Sequence, residues 1–424
     1  MKQSSLLCSA AFLLCNPRTS PESFESQNKT GNFRITRVAG LLVSGLCVLA
    51  FALPPSPASA QPAHGQRPTV TEEPPVPIPL AGVCEEEFDR NGNIWIEEAF
   101  AGAYARLNPA TGQIAEYLQL PGSLPGGLEL GWDGGVWSTL ITLNELVRID
   151  PNTGTFSYYP IPYFGVLQAD DITKGADGAM WFNMPGINAI GRFDLNTGQF
   201  SDYQIPTSNV PGVNGVGVDG ILHIIGHGPN NTIMFAEPLS NKIATFNVFT
   251  KTFTEYTVPT PLSIPIGVTE GADGNIWFTE SATHKFGRIN PTTGVITEWD
   301  VLQLRGSLLP PGIGNPIPMP GPMKLGADGD IYFSEIQGGA ATLTDVIARF
   351  NPTTGVFTEI PVPTPLSSPG CDLNNQDLQH VWFGELTGNR IGYMTLDGGQ
   401  NAAAVSLLSY YSGFQPYPGH GAPY

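Results

Sequence analysis

The chain has 424 residues and a formal net charge of −18, with 13% charged residues, 50 Gly and 40 Pro. That composition suits many short strands joined by tight turns and argues against a doubly wound α/β fold, because no helical period alternates with the strands. The acidic balance repels a phosphate backbone, so nucleic acid is not an expected partner.

Residues 1–60 read as a leader. Arg34 and Arg37 precede an apolar run, Ala39–Leu53, and Ala58-Ser59-Ala60 before Gln61 has the small residues of a signal-peptidase site. The run is about 15 residues long and is followed by Pro54-Pro55, too short for a membrane span. The mature chain is therefore expected to begin near Gln61, secreted or periplasmic, with no membrane span after leader removal. The leader takes five of the 19 Lys/Arg and two of the 37 Asp/Glu, leaving 14 against 35, a net −21. Three of the five cysteines also fall in it, leaving Cys84 and Cys371.

Residues 61–68 form a lead-in, and a repeat fills 69–399. Its clearest copy is Ile264–Val301: Ile266–Thr269, an Asp273-Gly274 hairpin, Ile276–Glu280, Phe286–Ile289, an Asn290-Pro-Thr-Thr-Gly294 turn, and Val295–Trp299. Asp-Gly between apolar runs is a strong hairpin signal, and the runs are rich in aromatic and β-branched residues. Each unit is thus a four-stranded antiparallel sheet. The central aromatic position holds Trp95, Trp137, Trp181, Met234, Trp277, Tyr332 and Trp382, 42 to 55 residues apart, a period of propeller blades. The units run over 82–121, 124–162, 167–206, 211–259, 262–301, 318–363 and 367–399. The last lacks its fourth strand, and a copy, Thr69–Glu72, precedes the first. The predicted fold is all-β: a seven-bladed propeller closed by an N-terminal strand that hides the sheet edges. Arg106, Arg148, Arg192, Arg288 and Arg349 recur in the third strand, as structural residues expected to pair with strand-four Glu. The tail, 400–424, shows no blade pattern and is expected to fray or dock loosely.

Chemistry is expected at the axial funnel. Asp170, Asp171, His223, Glu237 and Glu280 lie in neighbouring blades three to five, where a carboxylate–imidazole set can hold a divalent ion, with His223 as general base. His227 shares a strand face with His223 and is a further ligand candidate. Cys84 and Cys371 occupy one slot in blades one and seven, which ring closure makes neighbours; they are either a disulfide or two free thiols.

The combination of GADGNIWFTE (271–280), KFGRI (285–289), NPTTG (290–294) and TEY-x-VP-x-P (254–261) resembles the virginiamycin B lyase, or streptogramin lyase, family. The resemblance implies a seven-bladed propeller and a metal-dependent elimination that linearises cyclic type B streptogramins, with Mg2+ as the metal. It also implies a His eleven residues before the blade Trp in two neighbouring blades, with Glu two before one His and three after the Trp. In this chain the slot eleven before holds Cys84, Gly126, Asp170, His223, Ile266, Gly321 and Cys371, and the slot two earlier holds no carboxylate. The slot three after holds Glu98, Glu237, Glu280, Glu335 and Glu385 in five blades. The expected function is therefore a monomeric, exported, lyase-like ring that binds a small or peptide-like ligand at its axial funnel without the full His/Glu set. The alternative is a C–O lyase acting on a cyclic depsipeptide or related lactone. Glu237 and Glu280 are the expected ligands where a divalent metal (Mg2+) is bound; otherwise no cofactor is expected.

Overall fold

A computed structural model describes residues 68–119, 122–163, 169–207, 225–305, 317–338, 345–396 and 399–412. They form seven four-stranded antiparallel sheets, each from consecutive strands save the last. The inner strands are Val83–Phe88, Pro125–Leu130, Ile172–Lys174, Ile225–Gly228, Pro265–Glu270, Ile317–Leu325 and Pro369–Asn374. In blade seven the outer position is taken by the N-terminal strand Val70–Glu72, which pairs with Arg390–Thr395 in the register Val70↔Met394. The ring is closed as its repeat predicts. Glu72 also takes over the outer-strand glutamate's contacts: it accepts from Thr364 N (2.6 Å) and Oγ1 (3.0 Å) and pairs with Arg390 (3.1 Å).

The repeat motifs each have a local job. Asp273 of the hairpin accepts from the Trp277 indole at 3.3 Å and pairs with Arg288 at 3.4 Å, whose guanidinium lies over the Trp277 ring. Asp177, Trp181 and Arg192 repeat this, and Asp133 likewise accepts from the Trp137 indole and pairs with Arg148. Arg148, Arg192, Arg288 and Arg349 therefore pair with the hairpin aspartate of their own blade, not with strand-four glutamate, while Arg106 donates to Pro151 O of blade two. A buried indole N–H needs an acceptor, and the hairpin carboxylate is nearer than the outer strand. The outer-strand Glu255 and Glu298 instead bind Lys242 and Lys285, and each accepts from the threonine of a preceding linker, Thr207 or Thr260. Between blades the core is aromatic: Trp181 contacts Phe246, and Trp277 contacts Phe350.

The tail departs from expectation. Ala402–Tyr411 is a ten-residue helix, following a short one, Val301–Arg305; we call them α2 and α1. Asn401 caps α2 by accepting from Ala403 N and Ala404 N, and Asn401 N donates to Ala327 O at 2.8 Å. Ala404 and Leu408 join the core around Met323, Leu325 and Phe350. At its far end Tyr411 stacks on His227 of blade four (centroids 3.3 Å apart), and Tyr410 meets the edge of Trp132 in blade two. Contacts to blades six, four and two carry α2 across the hairpin end of the axis. Composition hid this helix because ten residues are too few to be helical on their own, and it is docking of Ala404, Leu408 and Tyr411 that holds it.

Candidate axial ligand site

The inner strands run from a mouth, where each blade is entered, to the hairpin end. Toward the hairpin end the charges are matched. Lys174, with its side chain 1% exposed, pairs with Glu129 at 2.7 Å and donates to Leu130 O. Glu87 accepts from Asn374, Gln376 and Leu130 N. Burial, with Glu129's charge next, still pushes Glu87 up to about 8.

At the mouth the balance is different. Glu85 accepts from Leu128 N at 2.8 Å in blade two. Asp171 accepts from Ile172 N (2.6 Å) and from Ile225 N (3.0 Å) in blade four. Asp170 N and Asp171 N both donate to Asn183 Oδ1. Gly127, at φ 56°, makes room: a Cβ there would lie 2.6 Å from Asp171 Oδ1. Burial, and then Asp372's charge, pushes Asp171 up to about 8. Burial also pushes Glu85 and Glu97 well up, Glu85 next by Asp171 and Glu97 next by Asp170. Lys324 pairs with Asp372 at 3.2 Å and is held above its usual range despite its burial by Asp372, Glu129 and Glu87.

Beside this cluster, Cys84 and Cys371 form a disulfide with Cα atoms 5.0 Å apart, inside the span a bridge requires. It joins the inner strands of blades one and seven in the slots where the resemblance implies histidines.

The candidates from sequence are dispersed. His223 lies outside the described residues. Asp170 and Asp171 are at the mouth, whereas His227 is at the hairpin end under Tyr411; burial, then Lys324 and Lys174, push its imidazole well below its usual range. Glu280 is buried beside Thr283, which donates to its Oε2 at 3.2 Å, and burial, then Glu298, pushes it up to about 7. Glu237 occupies the equivalent position in blade four, paired in register with Lys242. Among the described residues no three His, Cys, Asp or Glu come together as a metal-binding group. The described donors therefore do not fit a divalent ion. Glu85, Glu97 and Asp372 are the mouth residues that sequence reading missed. The signal was available: the slot two after the blade aromatic holds Glu97, Thr139, Asn183, Ala236, Thr279, Ser334 and Gly384, charged in blade one alone.

The sequence matches the Virginiamycin B lyase family over residues 69–222 and 217–406. The chain belongs to the virginiamycin B lyase family. Among solved structures it is similar to virginiamycin B lyase from Staphylococcus aureus, at 26% identity and a TM-score of 0.64, over 78% of this chain and 100% of that one. A catalytically inactive form of the Staphylococcus aureus enzyme with quinupristin matches at 27% and 0.64, over 78% and 100%. A streptogramin B lyase structure matches at 25% and 0.63, over 78% and 98%. Comparison with curated protein sequences finds no match.

Proposed function

We propose that this family member is an exported, monomeric ring that binds a small or peptide-like ligand at the axial mouth, without turning over streptogramins. The observation that carries the reading is the asymmetry of the axis. Helix α2 lies across the hairpin end, while the mouth keeps buried carboxylates on blades one and three and a disulfide in two of the slots expected to hold histidine. The disulfide supports export, since such bonds persist in oxidising compartments. Propellers host many functions, so the argument rests on the site rather than on the ring. The second reading, a metal-dependent C–O lyase built around His223, Glu237 and Glu280, is favoured by the similarity to lyases of known structure.

One experiment separates them. Mature protein is titrated with quinupristin by calorimetry, and the mixture is followed by mass-resolved chromatography with added Mg2+. Binding with an intact ring supports the proposal. Ring opening that is lost in His223→Ala establishes the second reading instead, and neither binding nor opening removes both for this ligand class.

A further inference from the structure

Glu97 stands where two other blades place a clamping threonine. Two residues after the aromatic, Thr139 and Thr279 use their hydroxyls to reach the inner strand of the next blade, at Asp170 O (2.5 Å) and Gly321 O (2.8 Å). Glu97 puts a carboxyl where those two blades put a hydroxyl. Glu97 is nonetheless 2% exposed, and its Oε2 has no donor. Trp95 and Glu97 share one face of their strand, the face turned to blade two. The charged groups that act on Glu97 are Asp170 and Asp171; those that act on Glu85 are Asp171, Glu97 and Asp372. Lys324 is the cation bonded to Asp372. A buried carboxylate without a partner is costly, and a like-charged neighbourhood adds to the cost. Its retention in place of a clamping threonine points to an occupant that supplies N–H donors and positive charge.

We infer that Glu85, Glu97, Asp170, Asp171 and Asp372 form a recognition site for an organic cation, a primary ammonium or guanidinium group, presented by the ligand at the axial mouth. This rests on the proposed mouth-binding function and names the chemistry of its ligand. A metal ion fits less well, because it needs three or more donors converging on one point and the described residues bring no such set together. A guanidinium or ammonium instead spreads its donors over several carboxylates, each in its own charge-assisted hydrogen bond.

The test uses agmatine, which carries both groups, titrated into the mature protein by calorimetry, with Mg2+ in a parallel titration. Saturable agmatine binding is expected, weakened about tenfold or more in Glu97→Gln, the loss of one charge-assisted contact. Glu85→Gln provides the same reading should Glu97→Gln not fold. Absence of agmatine binding overturns the inference, as does binding unchanged in both variants or binding of Mg2+ alone. Quinupristin binding that survives while agmatine fails removes the cationic class but leaves mouth binding intact. Failure of both ligands removes the mouth as well.

Discussion

The two ends of the axis use the same residue types to opposite effect. Near the hairpin turns, Glu129 has Lys174, Glu87 has two side-chain amides, and α2 covers the surface. At the mouth, a few residues up the same strands, carboxylates gather with backbone amides and one shared lysine. A buried charge that is matched fixes the ring; one that is crowded by its own kind is costly to hold. The position of a residue along the inner strand, more than its identity, decides which it is.

Four perturbations sharpen this contrast. Largest is the disulfide, which closes 287 residues: Cys84→Ser with Cys371→Ser should cost about 4 kcal/mol in denaturant unfolding. Loss of under a tenth of that would mean strand pairing alone closes the ring. Next, Lys174→Met strands Glu129 at the matched end and should cost about 3 kcal/mol, read as a lower melting temperature. Third, Tyr411→Ala removes the stack on His227 and should cost about 2 kcal/mol while speeding hydrogen exchange across α2. An unchanged exchange pattern would show that the contacts of Asn401, Ala404, Leu408 and Tyr410 hold α2 without the stack. Smallest, Glu97→Gln should stabilise the ligand-free protein by about 1 kcal/mol at alkaline pH by removing a repelled charge.

The last effect belongs to a general pH dependence. Asp171 and Glu87 are pushed up to about 8, so between ordinary carboxylate values and about 8 the folded state holds protons that the unfolded chain releases. More protons on the folded side mean that stability falls as pH rises. It is fully present below the ordinary carboxylate range and lost by about pH 8. Unfolding midpoints measured from pH 5 to 9 should decline steadily, less so in Glu97→Gln; a rise would contradict protonated carboxyls along the axis.

The ring was legible because its signals are local. Trp277, Asp273-Gly274 and Asn290–Gly294 each specify a turn or a pair within one blade, and Thr69–Glu72 could be matched to its lost partner by motif alone. The site was legible only in part. Asp170 and Asp171 stand out as adjacent acids, but their neighbours Glu85 and Asp372 come from blades one and seven, and only ring closure places them together. Glu237 and Glu280 misled in the other direction. Their recurrence in five blades marked a common slot, and the structure puts that slot in the blade body, Glu280 beside Thr283 and Lys285. The helix α2 had no periodic apolar face to betray it; it is defined by what it covers.

Closure by the N-terminal strand has a consequence for biogenesis. Val70–Glu72 leaves the ribosome before any blade exists, yet its partner Arg390–Thr395 is among the last segments made. Throughout synthesis, blade one's chain carries a strand with nowhere to go, and the seventh sheet stays open until the end. Native assembly is therefore all-or-nothing in time as well as in space, since loop closure over so long a span precedes its reward. A chain trimmed past Glu72, by contrast, would fold six complete blades and expose a permanent edge on the seventh, an invitation to pair with the same edge of another copy.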